Sequence, residues 1–108
     1  MLDFGMTDHQ AVDKFRQLRT EAAQARARAM RSQIAAGLTF CGLAESELRN
    51  GNSAHAHEML ERLQKLSETL RRHLNEPNHV PSSEIEKVDT ELAQLESRTL
   101  ALEERERG

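Results

Sequence analysis

Residues 7–50 read TDHQAVDKFRQLRTEAAQARARAMRSQIAAGLTFCGLAESELRN, with no Pro and no polar turn cluster to interrupt them. The stretch predicts one very long helix carrying two apolar seams. The first is Phe15, Leu18, Ala22, Ala25, Ala29, Ser32, Ala36, Thr39 and Leu43, stepping by three and four residues in alternation. The second, on another face, is Ala23, Ala27, Met30, Ile34, Gly37, Cys41, Ala44 and Leu48 with the same step. A helix that covers a single core needs one such stripe. Two stripes call for two sets of partners: the rest of this chain, and most simply a second copy of it.

The ends of this helix are marked chemically. Thr7 and Gln10 have the spacing of a capping box, in which side chains satisfy orphan backbone donors, and Met6 with Ala11 has the spacing of a hydrophobic staple. Residues 1–6 before the box read as a frayed N-terminus. Asn50-Gly51 is a strong helix-ending signal. Gly37 and Gly42 each weaken a helix interior by about 1 kcal/mol relative to Ala. The heptad phase passes through both without slipping, so the helix is expected to continue or bend there rather than break.

Asn52 or Ser53 opens a second helix to about residue 74, with the stripe Ala56, Met59, Leu60, Leu63, Leu66, Leu70 and Leu74. Pro77 disfavours helical geometry before it, and residues 75–82 read as a stiff connector with two prolines. Ser83 with Glu86 forms the next capping box. The third helix, about 83–106, carries the heptad seam Ile85, Val88, Leu92, Leu95, Thr99 and Leu102. Residues 103–108 read as a charged, solvated tail. The fold class is all-α: a three-helix antiparallel bundle with coiled-coil-like packing and a much longer first helix, the whole of 1–108 being one domain. At 1.5 Å per residue the first helix spans roughly 65 Å, about twice either of the others. Its N-terminal half, from Phe15 to Ala29, is therefore expected to protrude.

Composition agrees with this reading. There is no Trp or Tyr, only three Phe, and 31% of residues are charged, the palette of long helices. The net charge of -3 argues against general nucleic-acid affinity. No stretch approaches the roughly 18 apolar residues of a membrane span. The N-terminus, with Asp3 and no long apolar run, does not read as a signal peptide. A single Cys excludes an intrachain disulfide, and a reducing cytoplasm is the expected location.

Around the first turn, Phe40, Leu43 and Ala44, then Gly51-Asn52, then Ala56, Leu60 and Leu63 resemble a single tetratricopeptide-type helix pair spanning residues 40–63. The resemblance implies a close-packed helix hairpin and a role in protein interaction. It departs where Glu47 replaces the usual aromatic, and one repeat does not make the concave groove of such arrays. The turn Arg49-Asn50-Gly51-Asn52 also resembles the closing hairpin of histidine phosphotransfer domains. Those require a His followed by Lys-Gly on an earlier helix, whereas His9 is followed by Gln10-Ala11-Val12, so phosphorelay chemistry is not implied.

His55, His57 and Glu58 form the densest set of metal-ligand types. Positions two apart on a helix diverge. The pairs that converge, His55 with Glu58 and His57 with Glu61, offer two ligands where a catalytic zinc takes three. His73 and His79 are isolated. Cys41 lies on an apolar seam with no base placed beside it, as a small hydrophobe does. Arg16, Arg19, Arg26, Arg28 and Arg31 are the best basic surface, but at about 100° per residue they spread around the helix, and no Tyr or Trp stacks bases. No predicted helix carries the Glu-x-x-His pairs of the di-metal bundles. The sequence thus points to a non-enzymatic structural or interaction module without cofactor or metal: a homodimer or higher oligomer acting as an adaptor or regulatory subunit, with a further protein partner in that role. Its self-association residues are Phe15, Leu18, Ala22, Ala25 and Ala29. The competing reading is a dimeric nucleic-acid-associated protein using the arginine-rich helix.

Overall fold

A computed structural model describes residues 8–108 and contains three helices. The capping pair and staple that begin at Thr7 and Met6, and the fraying expected of residues 1–6, lie outside the described residues. Helix α1 runs unbroken over Asp8–Arg49, 42 residues, through both glycines. Helix α2 is Ser53–Asn75 and helix α3 is Ser82–Arg107. All three pack against one another in a rod of 74 × 22 × 16 Å.

The first turn is a Schellman motif. The Asn52 N–H donates to the Glu47 carbonyl at 2.9 Å and the Gly51 N–H to the Leu48 carbonyl at 3.2 Å. Gly51 takes φ of 80°, a left-handed conformation that is unstrained for Gly. The Asn52 side chain does not cap α2; it donates back to the Glu47 carboxylate at 2.7 Å. Where Ser83 was expected to cap α3, Pro81 occupies the N-cap and the helix begins at Ser82. The proline ring fixes a φ of -60°, and its carbonyl accepts the Glu84 N–H at 2.8 Å, so the first turn closes early.

The second seam of α1 faces the core. Met30, Ile34, Cys41 and Ala44 are buried against Leu60, Leu63 and Leu70 of α2 and Val88, Leu92 and Leu95 of α3, with Leu48 partly buried. At Gly37 side chains of α2 and α3 fill the space beside α1: a Cβ there would stand 3.0 Å from Leu95 and 3.1 Å from Leu66. Gly42, by contrast, faces open space. Two stripe assignments shift. Ser67 is buried while Leu66 is only partly so, and Ile85, expected in the α3 seam, is 42% exposed. Val80 of the connector is buried in the core at that end of the bundle instead.

The charged end of α3 is not a free tail. It stays helical to Arg107, and Glu103 accepts from Gln64 of α2 at 2.7 Å while Arg105 pairs with Glu45 of α1 at 3.4 Å.

Candidate functional site

The first seam of α1 is exposed along its whole length, from Phe15 through Ala22, Ala25, Ala29, Ser32, Ala36 and Thr39 to Leu43. Phe15 is 67% exposed, Leu18 52% and Leu43 53%. The uncovered face therefore extends over the bundle as well as over the protruding arm. At 100° per residue the mean directions of the two seams lie about 130° apart around the helix, so α2 and α3 cover one and leave the other bare. Core-facing burial begins at Ala23; before it, residues 8–22 project with no burial beyond the half-covered Ala11. Val12, 51% exposed, lies three turns before Ala23 on the core-facing line, beyond the end of the covering helices. Single exposed hydrophobics are ordinary; an aligned row of them is what makes this face the candidate site.

The five arginines do not form one basic face. Arg26 turns to the connector, donating from Nε to the His79 carbonyl at 2.6 Å and from Nη2 to the Asn78 carbonyl at 3.2 Å. Asn78 sits at φ of 61°, a left-handed conformation that Asn tolerates better than most residues. Arg31 pairs with Glu91 of α3 at 2.6 Å, and this carboxylate raises its already high pKa. Arg16, Arg19 and Arg28 remain exposed. Arg16 approaches Asp13 on its own helix, at 3.9 Å. A further clamp, which the sequence analysis did not single out, joins α2 to α3. Arg71 donates to both oxygens of Glu96, at 3.1 and 2.6 Å, and to Asp89. These carboxylates push its pKa up further. Seam periodicity carries no signal for such a pairing, since it depends on the rotation of α3 about its axis.

Two of the histidines, His55 and His57, make interhelical contacts. His57 meets Glu61 at 2.9 Å through Nε2 and Glu106 of α3 through Nδ1. Carboxylates at both ring nitrogens favour the doubly protonated ring, and its pKa is raised, first by the Glu106 hydrogen bond. His55 lies 3.4 Å from Glu47 rather than beside Glu58. At the other end of the bundle the rings of His73 and His79 lie 5.0 Å apart, and burial lowers the His79 pKa. Among the described residues, no three His, Cys, Asp or Glu converge on a metal position. Cys41 is buried with its sulfur 3.9 Å from Thr99 Oγ1, and burial raises its thiol pKa, which suppresses thiolate chemistry. Also among the described residues, no helix is long and apolar enough to cross a membrane. No family model, curated protein or solved structure matches the chain.

Proposed function

We propose that this protein is a non-enzymatic interaction module that associates with itself through the exposed seam of α1. The observation that carries this reading is the alignment of Phe15, Leu18 and Leu43, all more than half exposed, on one face of a single helix. The residues between them are small, which suits close approach of a second helix. Cytoplasmic action as an adaptor or regulatory subunit is the role such a module fits, and the tetratricopeptide-like hairpin of residues 40–63 is consistent with it. The nucleic-acid reading keeps three exposed arginines but loses Arg26 and Arg31 to internal bonds, which favours the protein-interaction reading.

Leu18→Glu tests it. A carboxylate desolvated in an apolar interface costs several kcal/mol, so the variant should dissociate. Leu18 lies outside the core, so helicity by far-UV circular dichroism should be retained. A variant that sediments like the parent removes Leu18 from the interface and with it this reading.

A further inference from the structure

We propose that the core-facing side of the protruding arm is a docking site for an acidic amphipathic helix of another protein, with Arg16 and Arg19 as its anchors. This surface is distinct from the bare seam and does not depend on a second copy of the chain.

The site begins where the covering helices end. Residues 8–22 continue α1 for roughly 22 Å beyond the point where core-facing burial begins. At 100° per residue, Val12, Arg16, Arg19 and Ala23 all lie within about 30° of the mean direction of the core-facing seam. Val12 is 51% exposed on this line, and Phe15, on the border between it and the bare seam, is 67% exposed. Shallow recesses flank Arg19 on both sides along the helix. Val12, Phe15 and Arg16 line the one toward the N-terminus, and Ala23, Val80 and Pro81 line the one toward the bundle. The line that α2 and α3 cover elsewhere thus runs on as an apolar ledge, closed at one end by the connector, and a helix is the element that covers it over the rest of its length.

Charge fixes the chemistry of that helix. From Ala23 to Leu48 the core-facing seam carries no charged residue, whereas on the arm two guanidiniums take such positions. Among the described residues Arg19 makes no hydrogen bond or ion pair, and Arg16 has Asp13 at 3.9 Å. A helix laid on the ledge desolvates both guanidiniums, which is unfavourable unless it brings carboxylates to them. Arg26, at the bundle end of the ledge, already donates to the connector carbonyls. Asp or Glu side chains one helical turn apart match the spacing of Arg16 and Arg19, with apolar neighbours to fill the recesses. A second copy laid ledge to ledge sets arginines against arginines. Nucleic acid is the poorer match: phosphates leave Val12 and Phe15 uncovered, and the chain carries a net charge of -3.

Selection of displayed random peptides on the full chain tests the site, with light scattering on the same samples to read self-association separately. The expected result is a set of retained peptides with Asp or Glu three or four residues apart beside apolar residues. Arg19→Glu changes an exposed side chain and should keep the helicity while weakening their binding by about tenfold or more. Exchanging the peptide's acidic residue for Lys should restore binding to that variant. Arg28→Glu makes the same charge change at an exposed position off the ledge and should leave binding unaltered. Retained peptides that lack Asp and Glu, or that bind Arg19→Glu as well as the parent, overturn the proposal, and so does a selection that retains none. A single-stranded DNA oligonucleotide that binds more tightly than any retained peptide, and is lost in Arg19→Glu, overturns it in favour of nucleic acid.

Discussion

Arg26 of α1 and His79 of the connector are joined by a 2.6 Å hydrogen bond from the guanidinium Nε to the backbone carbonyl, across 53 positions of sequence. With the second bond, to the Asn78 carbonyl, it fixes the connector against α1 at the point where core-facing burial of that helix begins. A residue that reads as part of a basic surface is thereby a tie that holds the α2–α3 passage in place.

Arg26→Ala should destabilise the fold by about 1–3 kcal/mol, since two carbonyls lose a charged donor in a half-buried setting. Arg16→Ala, which removes a 3.9 Å surface contact with Asp13, should stay within about 0.5 kcal/mol. Urea unfolding midpoints of the two variants give the comparison. Equal midpoints would mean that water replaces Arg26 at the connector without loss.

The two ends of the bundle should respond to pH in opposite directions. The His57 pKa is raised in the fold, so its contribution is complete below the ordinary histidine value of about 6.5 and is lost as pH rises through the folded value. For His79 the folded pKa is lowered, mainly by burial and also by nearby His73 and Arg26 against the opposing pull of Glu76. Its contribution is present above about pH 6.5 and is lost as pH falls through the folded value, when the ring must charge. Imidazole proton shifts followed by NMR should give a midpoint above 6.5 for His57 and below it for His79. The reverse order would contradict the contacts described.

The two helix glycines should part company. Gly42→Ala meets open space and should stabilise by about 0.5–1 kcal/mol through helix propensity. Gly37→Ala gains the same propensity but presses on the buried Leu95, a crowding that costs about 1–3 kcal/mol in packed cores. Thermal melts should therefore rank Gly42→Ala above Gly37→Ala. Equal stabilisation would show that Leu95 and Leu66 yield freely.

Ala25→Leu reads the exposed seam directly. Leu is nearly as good a helix former as Ala, so the change is almost neutral on a solvent-facing helix. At a close helix–helix contact it overpacks by about 1–3 kcal/mol per site, and twofold symmetry applies that cost twice. The dimerisation constant measured by sedimentation should weaken accordingly; an unchanged constant would assign the alanines to helix propensity alone.

Much of this architecture is legible in the sequence because apolar spacing of three and four residues is a direct projection of helix geometry. Both seams of α1, the turn at Gly51 and the stripe of α2 follow from it. What spacing does not reveal is which seam meets α2 and α3, because both step alike. The answer lies in volume: Met30, Ile34 and Cys41 fill the three-helix core, while the alanine-rich middle of the other seam would leave it hollow. Nor does spacing reach the pairs set by rotation of one helix against another, such as Arg71 with Glu96, Arg31 with Glu91 and His57 with Glu106. Ile85 misleads for a related reason. It keeps the heptad phase at the end of α3, where Val80 is buried in the core while Ile85 remains exposed.

The central claim is that the bare seam of α1 is an interface with a second copy, and the mass of the particle in solution tests it most directly. Multi-angle light scattering across the micromolar range should return twice the chain mass of 12.3 kDa, or a higher even multiple, with dissociation only on dilution. A particle of 12.3 kDa throughout that range would contradict the account and leave Phe15, Leu18 and Leu43 as surface residues of a monomer.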